Sequence, residues 1–255
     1  MADVSFYIAG HPDDALLFRG NQLYDDAHTP AVTIVHITVS AGDAGRTDGW
    51  WQQREQGTVR ALAVAQSPGP LSGPTMTSVN GHLVARYAGP GFVLWCMRLP
   101  DGGTDGQGYP STGGRTLGKL ASGAISSLRA VNGSTTYTSW ADLCATLRAI
   151  CSRERQAGTT VTPWINAADP STTTNPNDHP DHYAVGKAIT SFAAADGYHR
   201  AWWVSYDTQN RPVDLSGFPL DAKRFQFVAY GYATGGPNEA EWGLWGPRDY
   251  FRTEG

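Results

Sequence analysis

Residues 31–40 read AVTIVHITVS, a nearly continuous apolar, β-branched run. A strand of that composition is buried on both faces, and sheets covered on both faces are mostly parallel ones flanked by helices. The neighbouring segments agree. Val4–Ala9 (VSFYIA) predicts a first strand and Phe92–Leu99 a third. Trp51–Gln66 predicts a helix, with Val59, Leu62, Ala63 and Gln66 at helical spacing. Ser139–Ala157 predicts an amphipathic helix, with Ser139 as its N-cap and Gly158 as its stop.

Thr159–Ile165 then predicts a strand, Asp181–Ala195 a helix, and Ala201–Tyr206 and Phe225–Tyr230 later strands. This alternation predicts an α/β fold, a Rossmann-like, mostly parallel sheet flanked by helices, as a single domain over residues 1–255. Two stretches break the pattern. Residues 101–137 are rich in Gly, Ser and Thr and predict an insert able to act as a lid. Residues 207–255 predict a C-terminal extension rich in Gly, Pro and large rings.

The net charge is −4 with no basic block, which excludes an ordinary nucleic-acid binder. The three cysteines, Cys96, Cys144 and Cys151, form neither a disulfide framework nor a zinc ribbon and read as packed thiols. No apolar run is long enough for stable membrane insertion, and the first residues lack a basic leader, so the expected compartment is cytoplasmic.

Two polar clusters carry the chemistry. His11-Pro12-Asp13-Asp14 follows the first strand, and Asp178-His179-Pro180-Asp181-His182 follows the strand ending near Ile165 and opens a helix. In open α/β sheets, ligands bind beyond the C-terminal strand ends, so both clusters belong on one rim. They bring imidazoles and carboxylates together, the donors that zinc takes, with an open position at a catalytic site. His11 with Asp14, plus one distant His, makes such a set, leaving Asp13 as general base. His179 is then placed to protonate a leaving amine or steady an oxyanion. The same donors accept iron(II), so Zn2+ is expected, about one per chain, with Fe2+ as the other fit. His36, inside an apolar strand, reads as a core histidine with a satisfied hydrogen bond. His28, His82 and His199 read as surface residues.

Ala9-Gly10-His11-Pro12-Asp13-Asp14 and His179-Pro180-Asp181-His182 resemble the two signatures of the LmbE-like, or PIG-L, N-acetylglucosaminyl deacetylases. Ser40–Gly45, the helix holding Arg54 and Ala61, and Leu99-Pro100-Asp101-Gly102 resemble further family segments in order. The resemblance spans roughly residues 4–195. It implies that His11, Asp14 and His182 ligate zinc, that Asp13 is the base and His179 a second catalytic residue, and that Arg54 and Asp101 hold sugar hydroxyls. The implied activity is removal of an N-acyl group, acetyl first of all, from glucosamine. The HPDDALLF segment, the long insert and the aromatic tail look most like the teicoplanin-type deacetylases of actinobacterial glycopeptide-antibiotic clusters.

Three positions depart from the family pattern. Ala15 and Gly57 stand where the family commonly has Glu, and Asn177 stands where some members place a Tyr near the oxyanion. An Asn amide can still donate a hydrogen bond, so Asn177 is a candidate substrate contact. So are Trp242 and Trp245, in a segment that reads as too rich in Gly and Pro for a regular element. The implied partner is a small-molecule glycoconjugate with a large, apolar body. A Rossmann dinucleotide site would need a glycine-rich turn where Asp13 and Asp14 stand, and a non-haem iron oxygenase usually uses an all-β scaffold. A non-catalytic sugar-binding module is the alternative function. It predicts a broken ligand set or a missing base, and the sequence retains both.

Overall fold

The computed structural model describes residues 3–65, 72–155 and 161–255. The chain begins with β1 (Asp3–Ala9), α1 (Asp14–His28), β2 (Val32–Ser40) and α2 (Trp50–Ala65). A hairpin of β3 (Ser72–Val79) and β4 (His82–Gly89) leads into β5 (Phe92–Leu99). The insert holds α3 (Leu117–Ala121) and a small ribbon of β6 (Leu128–Arg129) and β7 (Thr136–Tyr137). Then come α4 (Trp140–Glu154), β8 (Trp164–Ala168), α5 (Pro180–Thr190) and β9 (His199–Trp203). The chain closes with α6 (Gly217–Gly231), α7 (Glu239–Trp245) and β10 (Phe251–Glu254).

The main sheet has the order β10-β9-β8-β1-β2-β5-β4-β3. Its centre, β9-β8-β1-β2-β5, is parallel, while β10 and β4 run antiparallel to it and β3, paired antiparallel with β4, forms one edge. β5 is buried along its whole length and β2 along all but its start, as a sheet covered on both faces requires. One core cluster joins β1, β2 and β5 to α4 and α5, and another joins the opposite face to α1, α2 and α6. From β1 the chain proceeds to β2 on one side, while β8 lies on the other. The order therefore reverses between β1 and β8, which is where α/β sheets open a ligand crevice.

The observed elements correct several expectations. Phe225–Tyr230 is helical, not a strand. Its Phe-Gln-Phe alternation imitates a strand, but the buried positions of α6 are Ala222, Lys223, Gln226, Phe227, Tyr230 and Gly231, at helical spacing. Residues 239–245 form α7 despite Gly243, because the Asn238 side chain caps it by accepting from Glu241 N. The extent of helix α1 and the β3–β4 hairpin were not expected. The hairpin turns at Asn80-Gly81, both with positive φ (50° and 81°), the pattern of a two-residue type I′ turn. His82 is buried, bonded to Thr135 Oγ1 at 2.7 Å and Asp142 Oδ1 at 2.9 Å, and so is not a surface residue. His36 is buried as expected, but among the described residues only its Nδ1 has a partner, Thr38 Oγ1 at 3.4 Å. Ser139 caps α4, and the three thiols are free and buried. The expected stop at Gly158 and the ends at Gln66, Ala157 and Thr159 lie outside the described residues. Among the described residues no helix is long and apolar enough to cross a membrane.

Candidate active site

β1 ends at Ala9, and the chain turns through Gly10 into the His-Pro-Asp-Asp segment. A Cβ on Gly10 would stand 2.8 Å from His182 Cδ2 and 3.1 Å from Asp14 Oδ2, so the two clusters meet across a glycine. Asp14 opens α1 and accepts a hydrogen bond from His11 N at 2.7 Å. His182 sits in the first turn of α5, after Pro180. These placements bring His11 Nδ1 to 3.1 Å from His182 Nε2, His182 Nε2 to 3.1 Å from Asp14 Oδ2, and His11 Nδ1 to 3.6 Å from Asp14 Oδ1. The edge of a tetrahedron with metal–ligand bonds of ~2.0–2.1 Å is about 3.3–3.4 Å. The donor set and its spacing fit a zinc-sized ion.

Asp178 Oδ1 lies 2.9 Å from His182 Nδ1 and so fixes which ring nitrogen faces Asp14. Asp178 is itself held by Asn175 Nδ2 at 2.6 Å. A second grouping overlaps the first. His11 Nε2 lies 3.3 Å from Asp181 Oδ2, and Asp101 Oδ1 lies 3.8 Å from His11 Nε2 and 3.7 Å from His179 Nε2. Both groupings are buried, and each presents donors close enough to hold a metal ion. The carboxylates of the second are partly spent on backbone, Asp181 accepting from Gly102 N and Asp101 from Gly103 N, both at 2.8 Å.

The electrostatics point the same way. Burial pushes the His182 imidazole down, but the Asp14 and Asp178 carboxylates outweigh it and hold its pKa at about 10. His11 is likewise raised against burial, chiefly by Asp14. Asp14 is lowered, its two histidines outweighing burial. This buried spot therefore demands positive charge, which protons or a metal ion can supply. His179 goes the other way, down to about 4, through burial and then the charge on His11.

Asp13 is the N-cap residue of α1, yet its side chain makes no capping bond. Its Oδ1 is paired with the guanidinium of Arg54, and its Oδ2 has no protein partner among the described residues. Arg54 also donates through Nε to Tyr230 Oη at 2.8 Å and through Nη1 to the Gly42 carbonyl at 2.9 Å. Each guanidinium nitrogen is thus engaged within the protein, and Arg54 stands as a holder of Asp13.

A cavity of about 160 Å3 opens over these groups. His11, Asp13, Asp14, Arg54, Asp101 and His179 line it, and so do Thr104 and Tyr109 of the insert. Phe18, Tyr206, Glu241 and Trp245 line it as well, with the Tyr206 and Trp245 rings stacked at 4.6 Å and 6°. Burial and the neighbouring Asp13 raise Glu241 to about 7. A larger cavity, about 860 Å3, lies beside Trp140, Cys144 and Phe192, and none of the His/Asp cluster lines it.

Solved structures share this architecture. A deacetylase triple mutant of the teicoplanin biosynthetic pathway matches with a TM-score of 0.54 at 14% identity, over 90% of this chain and 81% of that one. N,N′-diacetylchitobiose deacetylase from Pyrococcus horikoshii matches with a TM-score of 0.53 at 13% identity, over 99% and 84%. The chain has the fold of these deacetylases. That is the LmbE-like fold the motifs implied, and at such identities the likeness speaks to fold and not to activity. No protein-family model and no curated protein matches the sequence.

On this deacetylase-like scaffold, Asn177 and Trp242 fall outside the cavity. Asn177 is exposed with φ 56°, a left-handed conformation that Asn tolerates. Trp242 packs on Phe227 at 5.3 Å beneath Arg224. Trp245 does line the cavity. Tyr109 and Glu241 were not expected at the site, and Tyr206 and Tyr230 were expected only as part of the ring-rich C-terminal stretch. Tyr109 stands in the irregular insert just past Asp101, and the other three lie far from the motifs in sequence.

Proposed function

We propose that this protein is a metal-dependent hydrolase that removes an N-acyl group, acetyl in the first instance, from a glucosamine moiety of a larger glycoconjugate, with glycopeptide-antibiotic pseudoaglycones as a candidate class. The observation that carries this reading is the buried His11/Asp14/His182 donor set, of which His11 and Asp14 line a cavity together with Asp13, whose Oδ2 has no protein partner among the described residues. In this reading those three residues hold Zn2+, and iron(II) suits the same donors. When bound, the ion supplies Lewis acidity toward an amide carbonyl and toward water.

The chain's own residues do the rest. Asp13 Oδ2 takes the proton of the attacking water and returns it to the amide nitrogen as the C–N bond breaks, while Arg54 fixes the carboxylate through Oδ1. His179 Nδ1 accepts from Asp181 N at 3.1 Å, so a neutral ring carries its proton on Nε2. That N–H then donates to the oxygen that gains charge as the amide carbon becomes tetrahedral. Trp245 and Tyr206 offer an apolar wall to a sugar face, and Glu241 offers acceptors for hydroxyls. Asp101 also remains a candidate hydroxyl acceptor.

A mass screen of N-acylglucosamine conjugates, following loss of the acyl mass, tests the proposal. Release from at least one conjugate is expected. Binding of intact sugars with no release from any would favour a non-catalytic sugar-binding module. Elemental analysis of His182→Ala against Asp181→Asn tests the ligand set: the first is expected to lose the metal and the second to keep it. The reverse result would move the metal to the second grouping.

A further inference from the structure

A second cavity, about 440 Å3, adjoins the site and plays no part in the chemistry above. Its lining comes from the loop after β2, from Trp51 and Pro100, and from the insert. The two cavities share a partition. Asp43 lines the second and accepts at 2.8 Å from the backbone N of Asp101, whose residue lines the first. Tyr109 lines the first, while Ser111 and Thr112 just beyond it line the second. A Cβ on Gly45 would fall 2.5 Å from Tyr109 Cγ, so this partition is tightly packed.

Arg46, Arg115 and Arg129 all line this second cavity. Arg46 is paired with Asp48 at 2.6 Å. Among the described residues, Arg115 and Arg129 have no carboxylate partner. Arg115 donates through Nη2 to the Ser127 carbonyl at 2.5 Å and the Ser127 hydroxyl at 3.0 Å. Arg129 donates through Nη2 to the Gly133 carbonyl at 3.4 Å. A guanidinium has several further N–H groups, so most donors of both side chains remain unspent. Among the described residues the single carboxylate in the lining, Asp43, already accepts from Asp101 N and Gly45 N. The hydroxyls of Thr47, Ser111 and Thr112 add short polar groups. Arg115, tethered by neutral oxygens, and the exposed Arg129, both left without an acid, offer guanidinium forks for a carboxylate or phosphate, and the tether on Arg115 lowers the ordering cost of binding one.

We propose that this cavity binds an anionic group, carboxylate or phosphate, carried by the substrate beyond its acylated sugar, with Arg115 and Arg129 setting the preference. This rests on the reading of the neighbouring site as one that takes an amino-sugar conjugate. The test uses N-acetylglucosaminides that differ only at the end of the aglycone: carboxypropyl, phosphonopropyl and the neutral carbamoylpropyl. Binding is measured by calorimetry on the Asp13→Asn protein, so that no hydrolysis intervenes. The anionic ligands are expected to bind about 10-fold or more tightly than the neutral one at low salt. Which anion binds more tightly distinguishes a carboxylate source from a phosphate source. Adding Arg115→Gln and Arg129→Gln is expected to abolish the difference while leaving the neutral ligand's Kd unchanged. Equal affinity for all three ligands, including no binding by any, overturns the proposal, as does a preference that survives both substitutions. Acetate release by the unsubstituted protein separates the two readings. Release without an arginine-dependent preference removes the anion site and keeps the hydrolase. An arginine-dependent preference without release keeps the anion site and removes the hydrolase.

Discussion

Tyr230, near the end of α6, accepts a hydrogen bond at 2.8 Å from Arg54 Nε, and the same guanidinium is paired with Asp13. The C-terminal region, which sequence reasoning set aside as an extension, thus braces the carboxylate proposed as base. Gly57 makes the contact possible. A Cβ there would lie 2.6 Å from Tyr230 Cδ2 and 3.0 Å from the Tyr230 carbonyl, so the departure from the family's Glu has a packing reason. Tyr230→Phe removes one hydrogen bond, a net contribution of about 1 kcal/mol, so kcat is expected to fall roughly fivefold with metal content unchanged. Gly57→Ala is expected to cost about 1–3 kcal/mol in denaturant unfolding through overpacking. A Gly57→Ala protein as stable as the parent, or a Tyr230→Phe protein with parental kcat, would dissolve this link.

Asp13→Asn keeps the side chain's size and its place beside Arg54 but cannot take a proton. Activity is expected to fall by about 10²–10⁴-fold with metal retained. His179→Ala is expected to lower kcat far more than it raises KM, because its N–H is needed as charge develops on the oxygen. Parental turnover by Asp13→Asn would remove Asp13 as the base. A pure KM effect in His179→Ala would make that residue a binding group.

The two tryptophans of α7 should behave differently. Trp245 stacks on Tyr206 at the cavity wall, and Trp242 packs on Phe227. Trp245→Ala is expected to raise KM by about tenfold with little change in kcat. Trp242→Ala is expected to act on stability, by about 1–3 kcal/mol, with KM near parental. Steady-state kinetics beside denaturant melts check both, and the opposite assignment of effects would move the sugar wall to Trp242.

The parallel sheet and the meeting of the two polar clusters were legible because each rests on a local signal. The residue 31–40 run reads as a strand buried on both faces, and the His-Pro-Asp-Asp and His-Pro-Asp-His segments sit directly at strand ends. The extent of helix α1 was not legible because its pattern is broken at Arg19-Gly20, where Arg19 leaves helical geometry (φ −144°, ψ 19°) and Lys223 crosses over Gly20. The Asn80-Gly81 turn was a signal that went unread. The C-terminal helices hide because buried polar side chains, Lys223 and Gln226, occupy positions where a periodicity argument looks for apolar ones. Contacts such as Tyr230 with Arg54 join residues far apart in sequence, and no local pattern announces them.

Lys223 gives a pH signature for stability. It is fully buried, donating to the Arg248 carbonyl, and burial lowers its pKa to about 7 against Asp249 and Asp214, which favour the charged form. An unfolded lysine titrates near ~10.4. Between those values the unfolded chain binds the proton and the folded chain does not, so this group makes stability rise with pH across that window. Below the folded value its penalty is fully present, at roughly 1.4 kcal/mol per tenfold difference in proton affinity. Lys223→Met is expected to stabilise the protein at about pH 6, with a smaller gain at about pH 9. A gain independent of pH, or a loss at both values, would show that Lys223 is not the titrating group.

Acetate release from an N-acetylglucosaminyl conjugate, followed on chelator-treated protein before and after zinc is added back, bears most directly on the metal-dependent reading. The expected result is no release before addition and recovery at about one equivalent of zinc per chain. Equal release with and without the metal, or no release in either state, would contradict it.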